Sequence, residues 1–191
     1  MSQSLFRKNP DYIEIYDNAL SKKECEILIN QFEKTDNIER GYISNEYDPK
    51  KKNCLQLCYD VNDQSIVSNI IKLKLNSCIK QYNKKYCSLQ KILNWKTYPD
   101  FNIQKYNGED DGYKVWHCEH GKYEHNSKRI MAWMFYLNDA KSGTEFANYP
   151  TINAKMGRCV IWPSFWTHLH KGVIPNRGIK YIATGWYYIA Q

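Results

Sequence analysis

From about residue 96 onward the chain breaks into short runs of β-branched and aromatic residues separated by Gly, Asn and Pro. They are Asn102 to Tyr106, Lys114 to Glu119, Ile130 to Leu137, Thr144 to Ala147, Arg158 to Trp162, Trp166 to Val173 and Ile179 to Tyr188. Many short strands with turn signals between them predict a β-sandwich or barrel for this half. The earlier residues follow a different period. Ser21 and Glu24 form a capping box, after which Cys25, Leu28, Ile29 and Phe32 recur at helical spacing, predicting a helix over about 22–34. From Ser65 a second stripe, Val67, Ile71, Leu75, Cys78, Ile79 and Tyr82, runs to the basic pair Lys84-Lys85. Both stripes suit packing on a sheet. Residues 11–17 alternate as a strand. Residues 36–63 are polar with one alternating patch, Cys54 to Tyr59, and read as a mobile loop with a short strand. The expected fold is α+β but mainly β: a single domain over 1–191, with 1–95 as helical support and lid and 96–191 as the β core.

At 191 residues the chain is long enough to bury a substantial core. Its formal charge of +7 is spread along the sequence, with no basic run longer than Lys50-Lys51-Lys52. That is a generally basic surface rather than a nucleic-acid stripe. Seven cysteines at irregular spacing include no Cys-x-x-Cys pair and fit neither a disulfide framework nor a zinc site, so free thiols in a reducing compartment are expected. No apolar run approaches the roughly 18 residues of a membrane span, and the start of the chain is polar. A cytoplasmic protein without a membrane partner is the expectation.

All five histidines, His117, His120, His125, His168 and His170, lie in the β-rich half. On a strand, His117 and Glu119 would leave one face about 6.6 Å apart, close enough for two converging side chains to chelate one ion. One further His from a distant strand completes a two-His, one-carboxylate face with open positions, the donor set of non-haem Fe(II) oxygenases. His168 and His170 both qualify. The Ile-Pro-Asn-Arg-Gly stretch between Trp166–Val173 and Ile179–Tyr188 predicts an antiparallel hairpin, which places Lys180 opposite His170 with Cβ atoms about 5 Å apart. An imidazole and an ammonium sharing one pocket wall call for a metal on the first and an anion on the second. Trp116, Trp133, Trp162, Trp166 and Trp186, with Tyr136, Tyr187 and Tyr188, are expected mostly in the core. The acidic turn Gly108-Glu-Asp-Asp-Gly112 reads either as a gate at the site mouth or as a solvated turn.

The order of these parts, Tyr106, Tyr113, His117-x-Glu119, Arg129 to Asn138, Ser142-Gly-Thr-Glu-Phe146, Gly157 to Pro163, His170-Lys-Gly and Lys180, resembles the Fe(II)- and 2-oxoglutarate-dependent dioxygenases of the prolyl 4-hydroxylase-like group over about residues 96–188. The resemblance implies a double-stranded β-helix, or jelly roll, braced by the N-terminal helices. It implies iron on His117, Glu119 and His170, with 2-oxoglutarate chelating the metal and its far carboxylate on Lys180. Tyr106 is the implied hydrogen-bond partner of the co-substrate. The spacing to Lys180 favours His170 over His168 as the distal ligand, leaving His168 as pocket wall or outer partner. His120 and His125 read as loop or surface residues. Glu119 stands where the family usually has Asp. A true carboxylate there argues for hydroxylation, since halogenating relatives lack it.

The resemblance implies an enzyme that takes Fe(II), 2-oxoglutarate and O2, with ascorbate as an optional reductant, and hydroxylates a C–H bond of a peptidyl proline or other peptidyl residue. Small-molecule or amino-acid hydroxylation is the alternative within the family. Nucleic-acid demethylation is disfavoured because such relatives carry Arg at the position of Lys180. A non-enzymatic metal-binding jelly-roll module is the alternative outside it. The sequence leaves the substrate and the oligomeric state open.

Overall fold

A computed structural model describes residues 11–43, 47–91, 94–175 and 177–190. The chain opens with β1 (Glu14–Tyr16), then α1 (Lys22–Glu33), the short strands β2 (Glu39–Arg40) and β3 (Lys52–Asn53), β4 (Leu55–Asp60) and α2 (Ile66–Lys85). After a 3-10 turn come β5 (Trp95–Asn107), β6 (Gly112–Tyr113), the one-turn helix α3 (Glu124–Ser127), β7 (Arg129–Tyr136), β8 (Gly143–Phe146), β9 (Tyr149–Asn153), β10 (Cys159–Pro163), β11 (His170–Val173) and β12 (Ile179–Ile189). A seven-stranded antiparallel sheet has the order β1-β10-β7-β12-β5-β4-β2, and a three-stranded sheet the order β11-β8-β9. The pair β3-β6 stands apart as a third small sheet. The two larger sheets make a jelly roll with the helices on the outer face of the major sheet. No helix among the described residues is long and apolar enough to cross a membrane.

Both helices form where the pattern predicts them. At the start of α1 the Ser21 side chain accepts from the Glu24 amide, while the Glu24 carboxylate accepts from the Ser21 backbone amide at 2.8 Å, so two otherwise orphaned donors are satisfied. Cys25, Leu28 and Phe32 of α1, and Val67, Ile71, Leu75, Cys78, Ile79 and Tyr82 of α2, bury against the major sheet.

The sheet separates two cores by residue parity. Met131, Trp133 and Phe135 of β7 point to the helices, whereas Ala132, Met134 and Tyr136 point between the sheets. Buried on both faces, β7 reads as one continuous apolar run instead of alternating. In β12, Tyr181, Ala183 and Tyr187 join the helix-side core, which turns Lys180, Ile182, Thr184 and Trp186 toward the space between the sheets. Gly185 lies flat on Trp133, where an added Cβ would stand 2.5 Å from the indole Cζ2.

The structure corrects several expectations. The hairpin does not form: β11 pairs with β8, setting His170 opposite Phe146, while β12 pairs with β5 and β7, setting Lys180 opposite Tyr106. The turn residues between β11 and β12, of which Asn176 lies outside the described residues, carry the chain from one sheet to the other. Turn chemistry fixes a local reversal and leaves open which neighbours satisfy the flanking backbone. Lys114 to Glu119 is not a strand. Only His117 bridges, antiparallel to His170, with mutual backbone bonds of 3.0 and 2.9 Å. β9 was unforeseen, since Tyr149-Pro-Thr-Ile-Asn153 carries a Pro in a sheet-edge strand where its missing N–H costs nothing. Part of 36–63 is structured as β2, β3 and β4, with residues 44–46 outside the described set. Trp116 and Trp166 are exposed, the latter 73%. In the acidic turn the Asp111 carboxylate accepts from Asn53 Nδ2 and from the Asn107 amide, both at 2.7 Å, which pins the turn in place.

Candidate active site

A cavity of about 510 Å³ opens between the sheets. His117, Glu119 and His170 meet on its wall, with all ligand-capable atoms within 4.8 Å of one another. They are the only such cluster of three or more among the described residues. The backbone explains the meeting. The His117–His170 bridge holds the two imidazoles 4.3 Å apart, and the Glu119 amide donates to the Ser164 carbonyl, fixing the segment that carries the carboxylate.

The protons are arranged for a cation. His117 Nδ1 lies 3.0 Å from the Val115 carbonyl and His170 Nδ1 lies 2.9 Å from the His168 carbonyl. A carbonyl only accepts, so each Nδ1 carries a hydrogen, and Nε2 is the nitrogen each ring would offer to a metal. Those two nitrogens stand 3.6 and 3.4 Å from the same Glu119 oxygen, Oε1. Burial and the neighbouring His170 press His117 toward the neutral form. Burial alone would raise the Glu119 carboxyl, but the two imidazoles hold it well below the usual carboxylate range. The second carboxylate oxygen, Oε2, is occupied: the Trp186 indole N–H donates to it at 2.8 Å and Arg129 lies 3.5 Å away. Two imidazole nitrogens and one carboxylate oxygen therefore converge on one point, a donor set that fits a divalent transition metal such as Fe(II).

Lys180 projects into the same cavity from the opposite sheet. It is 3% exposed and has no ion-pair partner among the described residues. Its Nζ donates to the Val173 carbonyl at 3.3 Å and sits 4.7 Å from the Tyr106 ring centroid. Burial pulls its pKa down to about 8. A buried ammonium with one neutral acceptor is a site for an anion.

Residues 101–188 match the model of the 2OG-Fe(II) oxygenase superfamily. Those residues carry the superfamily's pattern. No curated protein matches it in sequence. The oxygenase fold is shared with prolyl hydroxylases of known structure. A viral collagen prolyl hydroxylase from Paramecium Bursaria Chlorella virus-1, in complex with 2OG, superposes with a TM-score of 0.71 at 23% identity, over 94% of this chain and 97% of its own. A Trichoplax adhaerens prolyl hydroxylase in complex with a hypoxia inducible factor peptide fragment gives 0.72 at 16% identity, over 94% and 84%. A Pseudomonas putida prolyl-4-hydroxylase gives 0.73 at 12% identity, over 93% of each chain.

The oxygenase places the remaining sequence candidates unequally. Tyr106 is buried on the cavity wall, but its hydroxyl donates to Gln104 Oε1 at 2.7 Å, so its contact with Lys180 is through the ring. His168 stands outside the cluster in a 3-10 turn, with Nε2 2.7 Å from the Asp11 carbonyl and Nδ1 2.8 Å from Thr167 Oγ1. His120 bonds the Arg129 carbonyl and stacks near Phe165, and His125 is exposed on α3. Sequence reasoning missed the outer support of Glu119. Arg129 begins β7 and its guanidinium lies 3.5 Å from the Trp186 ring centroid, a cation–π stack that aims both groups at Glu119 Oε2. Trp186 shares parity with Lys180 on β12, which was the one signal available. Arg129 had none, because it reaches Glu119 only through a non-strand segment.

Proposed function

We propose that the oxygenase binds Fe(II) through His117 Nε2, His170 Nε2 and Glu119 Oε1, and anchors the far carboxylate of 2-oxoglutarate on Lys180. We propose further that it hydroxylates a C–H bond of a peptidyl residue, with proline as the first candidate. The convergence of two Nε2 lone pairs on one free carboxylate oxygen carries this reading, because each competing proton or donor is already engaged elsewhere. The likeness to prolyl hydroxylases, one of them holding a peptide fragment, supports the substrate class.

When bound, iron and 2-oxoglutarate would let O2 act as the oxidant, one oxygen atom entering the substrate C–H bond as C–OH and the other entering succinate as 2-oxoglutarate loses CO2. The chain's own residues do the rest. Val115 and His168 carbonyls keep each imidazole in the tautomer that presents Nε2. Trp186 and Arg129 hold Glu119 Oε2, so the carboxylate offers one oxygen. Tyr113 stacks on His117 at 3.6 Å and, with Trp162 and Phe146 packed about His170, shields the metal face from bulk water. Lys180 supplies the positive charge that orients a diacid across the cavity.

Anaerobic titration of the apoprotein with Fe(II) and then 2-oxoglutarate tests the site through the weak visible charge-transfer band of the chelate. The band should appear in the wild type and be lost in Glu119→Ala and His170→Ala. A wild type without the band refutes the iron and co-substrate assignment. A hydroxyproline product, read by mass spectrometry on proline peptides, tests the substrate class separately.

A further inference from the structure

The cavity holds a second buried lysine that the site described above does not use. Lys52, on β3, is 6% exposed and pairs across to Tyr113 on β6. Its Nζ lies 5.7 Å from the centroid of the Tyr113 ring, the ring that stacks on His117, so this ammonium stands about one aromatic ring from the metal-site imidazole. It donates to the Tyr42 carbonyl at 3.3 Å and to Gln56 Oε1 at 3.1 Å, both neutral acceptors. No carboxylate among the described residues lies within ion-pair distance. An ammonium has three donors, and two are engaged. Burial lowers its pKa, so the charge is held at a cost that a fold without use for it would have relieved with a shorter or neutral side chain.

The charge of the whole cavity points the same way. The buried Lys52 and Lys180, the half-buried Arg129 and, at the exposed rim, Lys122 line it, against the single carboxylate of Glu119. A divalent metal and a doubly charged 2-oxoglutarate cancel one another, so the loaded cavity keeps its positive excess. A neutral substrate leaves that excess uncompensated in a low-dielectric cleft, whereas an acidic one does not.

Resting on the reading that Lys180 takes the co-substrate and the target is peptidyl, we propose that Lys52 selects the substrate by pairing with an acidic side chain flanking the hydroxylated residue. The preferred substrate is then an acidic peptide segment. Lys52 grips from the side of β3 and β4, and Lys180 is left to 2-oxoglutarate.

The test uses the full chain loaded with Mn(II), which keeps the complex from turning over, and saturating 2-oxoglutarate. The probes are proline peptides carrying Glu, Gln or Lys at flanking positions on either side, and the readout is calorimetric affinity. The best Glu peptide should bind at least about tenfold tighter than its Gln isostere, the weight of one charge-assisted hydrogen bond. Lys52→Met should erase that difference, and Lys52→Glu should turn the preference toward the Lys peptide. Equal binding of Glu and Gln peptides by the wild type, or no binding by any of them, overturns the proposal without reference to any variant. A preference that survives Lys52→Met overturns it also. Exchange of Mn(II) for Fe(II) in air separates the two readings. Acidic peptides that bind selectively but are not hydroxylated keep the Lys52 assignment and sink the peptidyl-hydroxylase reading, and hydroxylation without charge preference does the reverse.

Discussion

Replacing Lys180 by Met keeps the length of the side chain and removes its charge, which isolates the ammonium's contribution to 2-oxoglutarate binding. Burial brings the Lys180 pKa from 10.5 to about 8. At 1.36 kcal/mol per tenfold, that drop corresponds to about 3 kcal/mol of unfavourable desolvation in the empty site. A carboxylate partner recovers a penalty of this size, which falls inside the range of about 2–5 kcal/mol for losing one member of a buried, hydrogen-bonded charge pair. Lys180→Met should therefore weaken 2-oxoglutarate by roughly two orders of magnitude while Fe(II) binding persists. The assay is the anaerobic charge-transfer titration, with iron affinity measured first.

The same group sets a pH dependence with a definite sign. Only the protonated form attracts a carboxylate. In the wild type 2-oxoglutarate affinity should hold below pH 8 and fall about tenfold per pH unit as Lys180 loses its proton above about 8. Lys180→Met should show no such fall. Stability runs the other way: between about 8 and 10.5 the unfolded chain binds more protons at this lysine than the folded one, so the ligand-free protein gains stability from it as pH rises. Below that window Lys180→Met should be at least as stable as the wild type. Wild-type 2-oxoglutarate affinity in Lys180→Met, with iron bound and the fold intact, would refute the anchoring role.

Trp186→Phe removes the indole N–H that holds Glu119 Oε2, and Fe(II) affinity should drop about 10- to 100-fold with the fold preserved, as seen by anaerobic titration. Gly185→Ala drives a Cβ to within 2.5 Å of Trp133 Cζ2 in a full core, so a loss of about 1–3 kcal/mol should appear as a Tm lowered by several degrees. Ser21→Ala breaks the capping box of α1 and should cost about 1 kcal/mol, a Tm shift of about 2–4 °C, with 2-oxoglutarate binding unchanged because the cap lies at the end of α1 remote from Glu33 and its contact with Tyr181.

The helices were legible because their signals are local: the Ser21 and Glu24 cap and a 3.6-residue stripe fix each element without knowledge of its partners. The same holds for β7 and β10, whose apolar runs admit little else. The pairing of β11 was illegible for the opposite reason. Ile174 to Gly178 has the composition of a hairpin turn, yet His170 finds its backbone partners in His117 and β8, both distant in sequence. His170 and Lys180 still share a cavity, since facing sheets bring together what an opposed register would have. The three residues His117, Glu119 and His170 could thus be picked out by type and order, while the device that presents Glu119 could not. That segment is held by the Glu119 and His120 amides donating to the Ser164 carbonyl and by the mutual His117–His170 bonds, with no strand period to read.

Parity on β12 also shows why the N-terminal half is more than a support. Tyr181 faces outward, its hydroxyl donating to Glu33 of α1 at 2.8 Å, and Lys105 of β5 pairs with the same carboxylate. Lys180 and Tyr106, the next residues along those two strands, point inward. Because successive strand residues alternate faces, any rotation of β12 that loosened Tyr181 from Glu33 would swing Lys180 by the same amount. The helix that caps the outer core thereby helps fix Lys180 of the inner one. β4 continues the sheet beside β5 and carries Gln56 to Lys52. Residues before 95 thus set both the position of one cavity lysine and the surroundings of the other, and a chain reduced to the 101–188 family match would lose that control even if His117, Glu119 and His170 were intact.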